Sequence, residues 1–163
     1  MTNIASQELF KREMTEKYFD MVYRLALART KDKYFAEDVC QSVFLKYIKS
    51  DKTFESEQHS KVWLIRVCIN ESKTLLTSSW HKKTAPLSEE IAFSTPEKSD
   101  LFDKVQKLPS KYSTIIHLHY YEDLSITQIA NILKMNESTV KSRLFRGRQK
   151  LKEILGERYD YEV

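Results

Sequence analysis

Two glycines in 163 residues are the tightest constraint this sequence places on its fold. Gly147 and Gly156 are accompanied by only three prolines, Pro86, Pro96 and Pro109. A sheet needs a tight turn between most pairs of strands, and such turns draw on glycine and proline. With so few of either, the chain predicts an all-α fold of long helices and few tight turns. The same scarcity excludes the Gly-rich phosphate loops of both common types, whose glycines are missing. Apolar residues make up 41% of the chain and charged residues 31%. That balance fills small cores, keeps a wet surface and excludes a largely disordered chain.

Apolar residues at three- and four-residue steps mark where the helices lie. Three precede residue 80. The first, 9–28, carries Phe10, Met14, Tyr18, Met21, Val22 and Leu25. The second, 35–48, sets Val39, Val43 and Tyr47 beside Cys40, Phe44 and Ile48. The third, 60–80, sets Trp63, Val67 and Asn70 beside Leu64, Cys68 and Leu75. Residues 81–100 break the period with two prolines and several serines and threonines, as a flexible linker does. Beyond them come a short helix marked by Leu101, Val105 and Leu108, another over 110–121, and two more. Two small helical domains are therefore expected, 1–80 and 101–163, joined by the linker 81–100.

Several function classes drop out. Cys40 and Cys68 sit in apolar helical stripes and share no ligand spacing with each other or with the four histidines, so they read as reduced core thiols and no metal site is expected. His59, His81, His117 and His119 and the scattered acids form no catalytic spacing, so neither an enzyme nor a cofactor is expected. No apolar run approaches the roughly 20 residues that cross a bilayer. The first residues, MTNIASQELFKREM, lack the apolar stretch of a secretion signal. A cytoplasmic protein without membrane insertion is expected.

Charge is uneven. The net value is +4, but between Lys134 and Lys152 seven basic residues face a single acid, Glu137. A solvated helix face interleaves both signs; a cluster of one sign is the footprint of phosphate contact. The cluster lies in LSITQIANILKMNESTVKSRLFRGRQKL, which reads as a helix-turn-helix. Ser125 and Gln128 have the spacing of a capping box, opening a helix to Leu133. Lys134 to Asn136 form the turn, and Asn136 caps a second helix reaching about Leu155. Ala130 is small where the helices approach, and Ile129, Leu133, Met135, Val140 and Leu144 form the expected core. Ser138, Thr139, Lys141, Ser142, Arg143 and Arg146 then project outward. The first turns suit a major groove and the later basic ones suit phosphates.

At this point the sequence resembles a known family. From Leu108 to Leu151 it is similar to the C-terminal, −35-reading domain of sigma-70-type factors. The carrying residues are the Leu-Pro start, the Glu-Asp-Leu-Ser corner and Thr-Val-Lys-Ser-Arg-Leu followed by Arg-x-Arg. AEDVCQSVFLKYI, 36–48, resembles the helix by which the family grips RNA polymerase. WLIRVCINESKTLL, 63–76, resembles its −10-reading helix. The two-domain plan looks like the extracytoplasmic-function group. There are departures: Lys134 stands where the turn often has glycine, Ser42 where an acid follows Gln41, and Thr74 where Asp is common.

The resemblance implies a sigma factor that joins polymerase core and directs it to promoter DNA. It implies that Asp38, Gln41 and Leu45 contact polymerase, and that Lys61, Arg66, Asn70 and Lys73 contact the melted −10 strand. It also implies that the loop from Thr53 to Lys61 captures bases. Trp63 reads as core packing or base stacking, and Asn70 as a −10 contact or a core hydrogen bond. Factors of this group are often held by an anti-sigma partner. The alternative from the residues alone is a stand-alone helix-turn-helix regulator.

Overall fold

The computed structural model describes residues 4–77 and 96–156. The chain divides into two compact units, Met1–Pro86 and Leu87–Val163. Among the described residues every regular element is helical. Most of the expected linker, and the end of the third expected helix after Thr77, lie outside the described residues.

The first unit is a three-helix bundle of α1 (Ile4–Thr30), α2 (Lys33–Lys49) and α3 (Glu57–Thr77). Lys31 closes α1 in a left-handed conformation, φ 62°. Asp32 then starts α2, its carboxylate accepting from the backbone N–H groups of Tyr34 at 2.9 Å and Phe35 at 3.0 Å. This cap satisfies two of the four N–H groups that a helix start leaves orphaned. The core joins Val22, Leu25 and Leu27 of α1 to Val39, Val43 and Tyr47 of α2 and Leu64, Ile65 and Cys68 of α3. Truncating a residue such as Leu64, which has no exposed surface, costs about 2–5 kcal/mol.

Both thiols belong to this core. Cys40 donates to the Phe19 carbonyl at 3.9 Å and Cys68 to the Val22 carbonyl at 3.7 Å, so both point at α1. Burial pushes each thiol pKa up to about 12. They stay protonated, and the expectation of core thiols holds.

The stripes differ from expectation at named positions. Ile48 is 55% exposed, because α2 turns its last apolar residue away from the bundle. On α3 the buried line is Leu64, Ile65, Cys68, Ile69 and Ser72, while Trp63, Val67 and Leu75 are half-buried and Asn70 is exposed. Two neighbouring helices face α3, so its buried stripe is wide and centred one position later than expected.

The second unit contains α4 (Pro96–Gln106), α5 (Ser110–Ile116), a π-helical turn (His117–Tyr121), α6 (Ile126–Leu133) and α7 (Glu137–Leu155). Proline suits the first position of a helix, and α4 begins at Pro96, inside the stretch expected to be linker. The helix expected over 110–121 changes at His117 to a π-helical turn, in which Glu122 N–H bonds the His117 carbonyl. Leu124 N–H reaches the Leu118 carbonyl, and His119 Nδ1 lies 3.0 Å from the Leu124 carbonyl, closing the corner before α6. Gly147 of α7 lies against Ile116, where a Cβ would stand 3.0 Å from the Ile116 side chain. That close approach brings α7 onto α5.

Candidate nucleic-acid and partner interfaces

The helix pair of the second unit is built as its sequence predicts. Ser125 accepts from Gln128 N–H at 3.1 Å, and the Gln128 side chain accepts from Ser125 N–H at 2.9 Å, completing the capping box. Lys134 ends α6 in a left-handed conformation, φ 57° and ψ 47°, its N–H bonded to the Ala130 carbonyl. Asn136 starts α7 by accepting from Thr139 N–H at 2.9 Å. Ile129, Val140 and Leu144 are buried as expected. Leu133 and Met135 are only half-buried, and Ile132 takes the inner place, because α6 is turned slightly relative to expectation.

Val140, Leu144, Gly147, Leu151 and Leu155 bury one side of α7. On the other side Ser138, Lys141, Ser142 and Arg146 are exposed, while Thr139 and Arg143 are half-buried at its edge. Five of these six predicted residues, Ser138, Thr139, Ser142, Arg143 and Arg146, line one groove with Lys111 and Tyr112 of α5. The sixth, Lys141, lies on the other flank, in a smaller groove with His119, Ile126, Leu144, Phe145 and Arg148. Lys111 is absent from the sequence expectation. Its ammonium sits 5.1 Å from the Tyr112 ring, and that of Lys150 sits 5.8 Å from the same ring. Nothing in the local pattern of α5 announced that it would stand beside the basic helix.

The groove is chemically suited to a polyanion with readable edges. Two guanidinium groups offer forked donors, and Lys111 and Lys150 offer point charges. The Ser138 and Thr139 hydroxyls donate to Asn136 Oδ1 at 3.0 and 2.6 Å, so in this arrangement they are left to accept.

In the first unit, Asp38, Gln41 and Leu45 are all exposed on α2. Steps of three and four place them on one face. Tyr34 and Ile48 continue that face in both directions and are 59% and 55% exposed. The sequence expectation did not include those two, although the same spacing reaches them. A line of solvent-facing Tyr, Leu and Ile flanked by polar residues is the composition of a docking face.

On α3, Arg66, Asn70 and Lys73 share a face by the same spacing, whereas Lys61 lies well off it. Asn70 and Lys73 are exposed, and Arg66 and Lys61 are half-buried. Exposure removes the core hydrogen bond as a reading of Asn70. Lys61 also lies near Glu57, whose carboxyl is held below its usual range by Lys17, then Tyr18, with a smaller pull from Lys61. The Trp63 ring centroid lies 5.5 Å from that of Tyr47 and 5.6 Å from that of Phe54, so the indole packs within an aromatic cluster. Among the described residues no three His, Cys, Asp or Glu side chains converge as a metal would require.

Comparison with known proteins gives matches along both units. The family description "Sigma-70 region 2" matches residues 14–82, and "Sigma-70, region 4" matches residues 100–151. The extracytoplasmic-function RNA polymerase sigma factor SigM of Bacillus subtilis is 32% identical over 157 residues, covering 87% of this chain and 93% of that protein. SigW of the same organism is 27% identical over 168 residues, covering 88% and 87%. Among solved structures, the sigma factor RpoE of Bartonella quintana, in complex with the anti-sigma factor NepR, superposes with a TM-score of 0.73. It covers 90% of this chain and 96% of that one at 21% identity, a likeness of fold.

Proposed function

The chain belongs to the sigma-70 family of RNA polymerase sigma factors, in its extracytoplasmic-function group, and from that membership we propose how its surfaces share the work. The protein binds RNA polymerase core and directs promoter-specific transcription initiation. The second unit reads the −35 element: Ser138, Thr139, Lys141, Ser142, Arg143 and Arg146 enter the major groove. The first unit grips polymerase through Asp38, Gln41 and Leu45, extended by Tyr34 and Ile48. It reads the melted −10 strand with Arg66, Asn70 and Lys73, helped by Lys61 near the start of α3. Residues 81–100 tether the two domains, 1–80 and 101–163, and polymerase sets their spacing.

One observation carries the −35 assignment: five of the six predicted residues line a single groove that Lys111 also lines, so three positive charges meet there. Each module alone binds weakly, and joining two weak contacts raises the affinity of the pair when the spacing suits. The chain is an initiation factor, and RNA synthesis itself is left to polymerase. It works in the cytoplasm, where its polymerase is, and an anti-sigma partner that covers these faces would silence it. Among the described residues no helix is long and apolar enough to cross a membrane.

The test is transcription in vitro with purified core polymerase and genomic DNA, mapping the start sites. New start sites that depend on the protein, and its capture by core, are expected. Failure of both would end the proposal. A stand-alone regulator would leave the region 2 match along residues 14–82 without a purpose.

A further inference from the structure

The loop between α2 and α3 is held from an unexpected side. Lys11, on α1, is 8% exposed, an unusual degree of burial for lysine. Its ammonium donates to the Ser50 carbonyl at 2.5 Å and lies 5.9 Å from the centroid of the Phe54 ring. One helical turn earlier, Gln7 Oε1 accepts from Phe54 N–H at 3.3 Å. Spaced by four, Gln7 and Lys11 share a face and grip the loop at two points, Ser50 and Phe54.

Between those points the loop has little else. Asp51, Lys52 and Thr53 are exposed and arch over an open groove of about 600 Å³ whose far wall includes Ile4, Gln7 and Lys11. Among the described residues their side-chain hydrogen bonding is local, from Lys52 N–H to Ser50 Oγ at 3.1 Å. Phe54 is the anchor that the loop drives inward. It is 3% exposed, with its ring centroid 5.0 Å from both Tyr47 and His59 and 5.6 Å from Trp63. His59 Nδ1 in turn accepts from Glu55 N–H at 3.2 Å. The backbone position of residues 50–55 therefore depends on two side chains of a helix that carries none of the assigned DNA contacts.

We propose that Gln7 and Lys11 are positioning residues for promoter reading: they strut the 50–54 loop so that it presents a fixed surface to unpaired −10 bases. The inference rests on the assignment of residues 53–61 to base capture; the 50–54 segment leads into that stretch, whose residues 57–61 form the start of α3. A pocket for a flipped base discriminates only if its walls keep their place, because a wall that yields accepts the wrong base at little cost. A buried ammonium is a suitable strut. It gives a charge-assisted bond to a backbone carbonyl and a cation–π contact to the ring that anchors the same loop.

The experiment uses holoenzyme assembled from core polymerase and the full chain, with fork-junction DNA carrying a mapped −10 segment as unpaired single strand. Affinity is measured for that segment and for its single-base variants. Lys11→Met keeps the apolar stem and removes the charge; Gln7→Leu removes the acceptor, and Gln7→Glu keeps it. Discrimination between −10 bases should fall roughly tenfold with Lys11→Met and less with Gln7→Leu, the size expected when one well-placed contact loses its fixed position. Gln7→Glu should retain it. Capture by core and binding of a −35 duplex should stay as in the parent for all three. Unchanged discrimination in both Lys11→Met and Gln7→Leu overturns the inference, and so does a loss matched by equal losses in core capture and −35 binding, which marks a merely structural role. Alanine at Thr53, Glu55 and Ser56 separates the two levels. If that variant alters base preference and the strut variants do not, only the struts are wrong. If it alters nothing, the loop assignment has failed.

Discussion

His117 and Glu122 meet inside the second unit, imidazole Nε2 3.0 Å from a carboxylate oxygen, across the π-helical turn that leads into the DNA-reading pair. The His117 side chain is 1% exposed and that of Glu122 11%. Among the described residues the other ring nitrogen of His117 has no hydrogen-bond partner, and the ring stacks on Tyr121 at 5.2 Å. Glu122 is thus what keeps a fully buried imidazole from being unsatisfied at both nitrogens.

Glu122→Ala should therefore destabilise the second unit by about 3 kcal/mol, the usual cost of removing one partner of a buried polar pair. Glu122→Gln, which keeps a polar atom in place, should cost less. Replacing both residues by leucine should recover part of the loss. Thermal unfolding of the full chain, followed by circular dichroism, checks the order of the four proteins. Equal stability of Glu122→Ala and the parent would show that the pair holds nothing.

A chain with two glycines must make most left-handed turns from other residues, and among the described residues Lys31, Asp123 and Lys134 do so. Asp tolerates this conformation better than lysine, because its short polar side chain bonds locally. Lys134→Gly should then stabilise the protein by about 1 kcal/mol, and Asp123→Gly by less. The midpoint of urea unfolding reads both. The gain in Lys134→Gly belongs to the backbone, so Lys134→Asn should show part of it and Lys134→Ala none.

Acid should loosen the first unit in a defined window. Lys17, then Tyr18, hold Glu57 below its usual range, and Lys46, resisted by burial and helped by Ser42, does the same for Glu71. Depressed carboxylates stabilise the fold above the ordinary pKa of about 4.3, and that contribution disappears as the pH falls through the folded-state values. Melting temperature should thus drop between pH 5 and pH 3, by roughly a few degrees. Glu57→Gln with Glu71→Gln should start lower at pH 7 and fall less. An identical acid limb in parent and double variant would remove these two groups as its cause.

Much of this was readable before any coordinates, for a physical reason. Caps and periods are local, so Ser125, Gln128, Asn136 and the buried side of α7 follow from spacing alone. Burial at a given position depends on how many neighbours a helix acquires. Ile48 looked like a core residue because its period fits, and it is exposed because, among the described residues, no helix covers the end of α2 on that side. The π-helical turn at His117 carries no signal in periodicity, since its apolar residues fit an α-helix equally well. Lys111 and Lys11 were invisible for a different reason. Each matters through a residue far along the chain, Lys111 through the groove of α7 and Lys11 through Ser50, and no local pattern announces such a meeting.

On the proposed reading, the residues in and beside the α7 groove divide into those that specify and those that hold. Arg143 lines the groove and is half-buried there, which limits its fork to a narrow set of directions, as bidentate contact with a base edge requires. Lys150 is exposed and rests against Tyr112, a position suited to a backbone phosphate. In holoenzyme, Arg143→Ala should cost about 1–3 kcal/mol on the preferred −35 sequence and much less on a scrambled one, so that specificity relaxes. Lys150→Ala should weaken both sequences alike and reduce the salt slope of binding by about 1. Titrations of the two variants on matched duplexes at several salt concentrations separate the roles. If Arg143→Ala lowers affinity without regard to sequence, its guanidinium faces the phosphates, and the groove is docked on DNA in a different register from the one assigned.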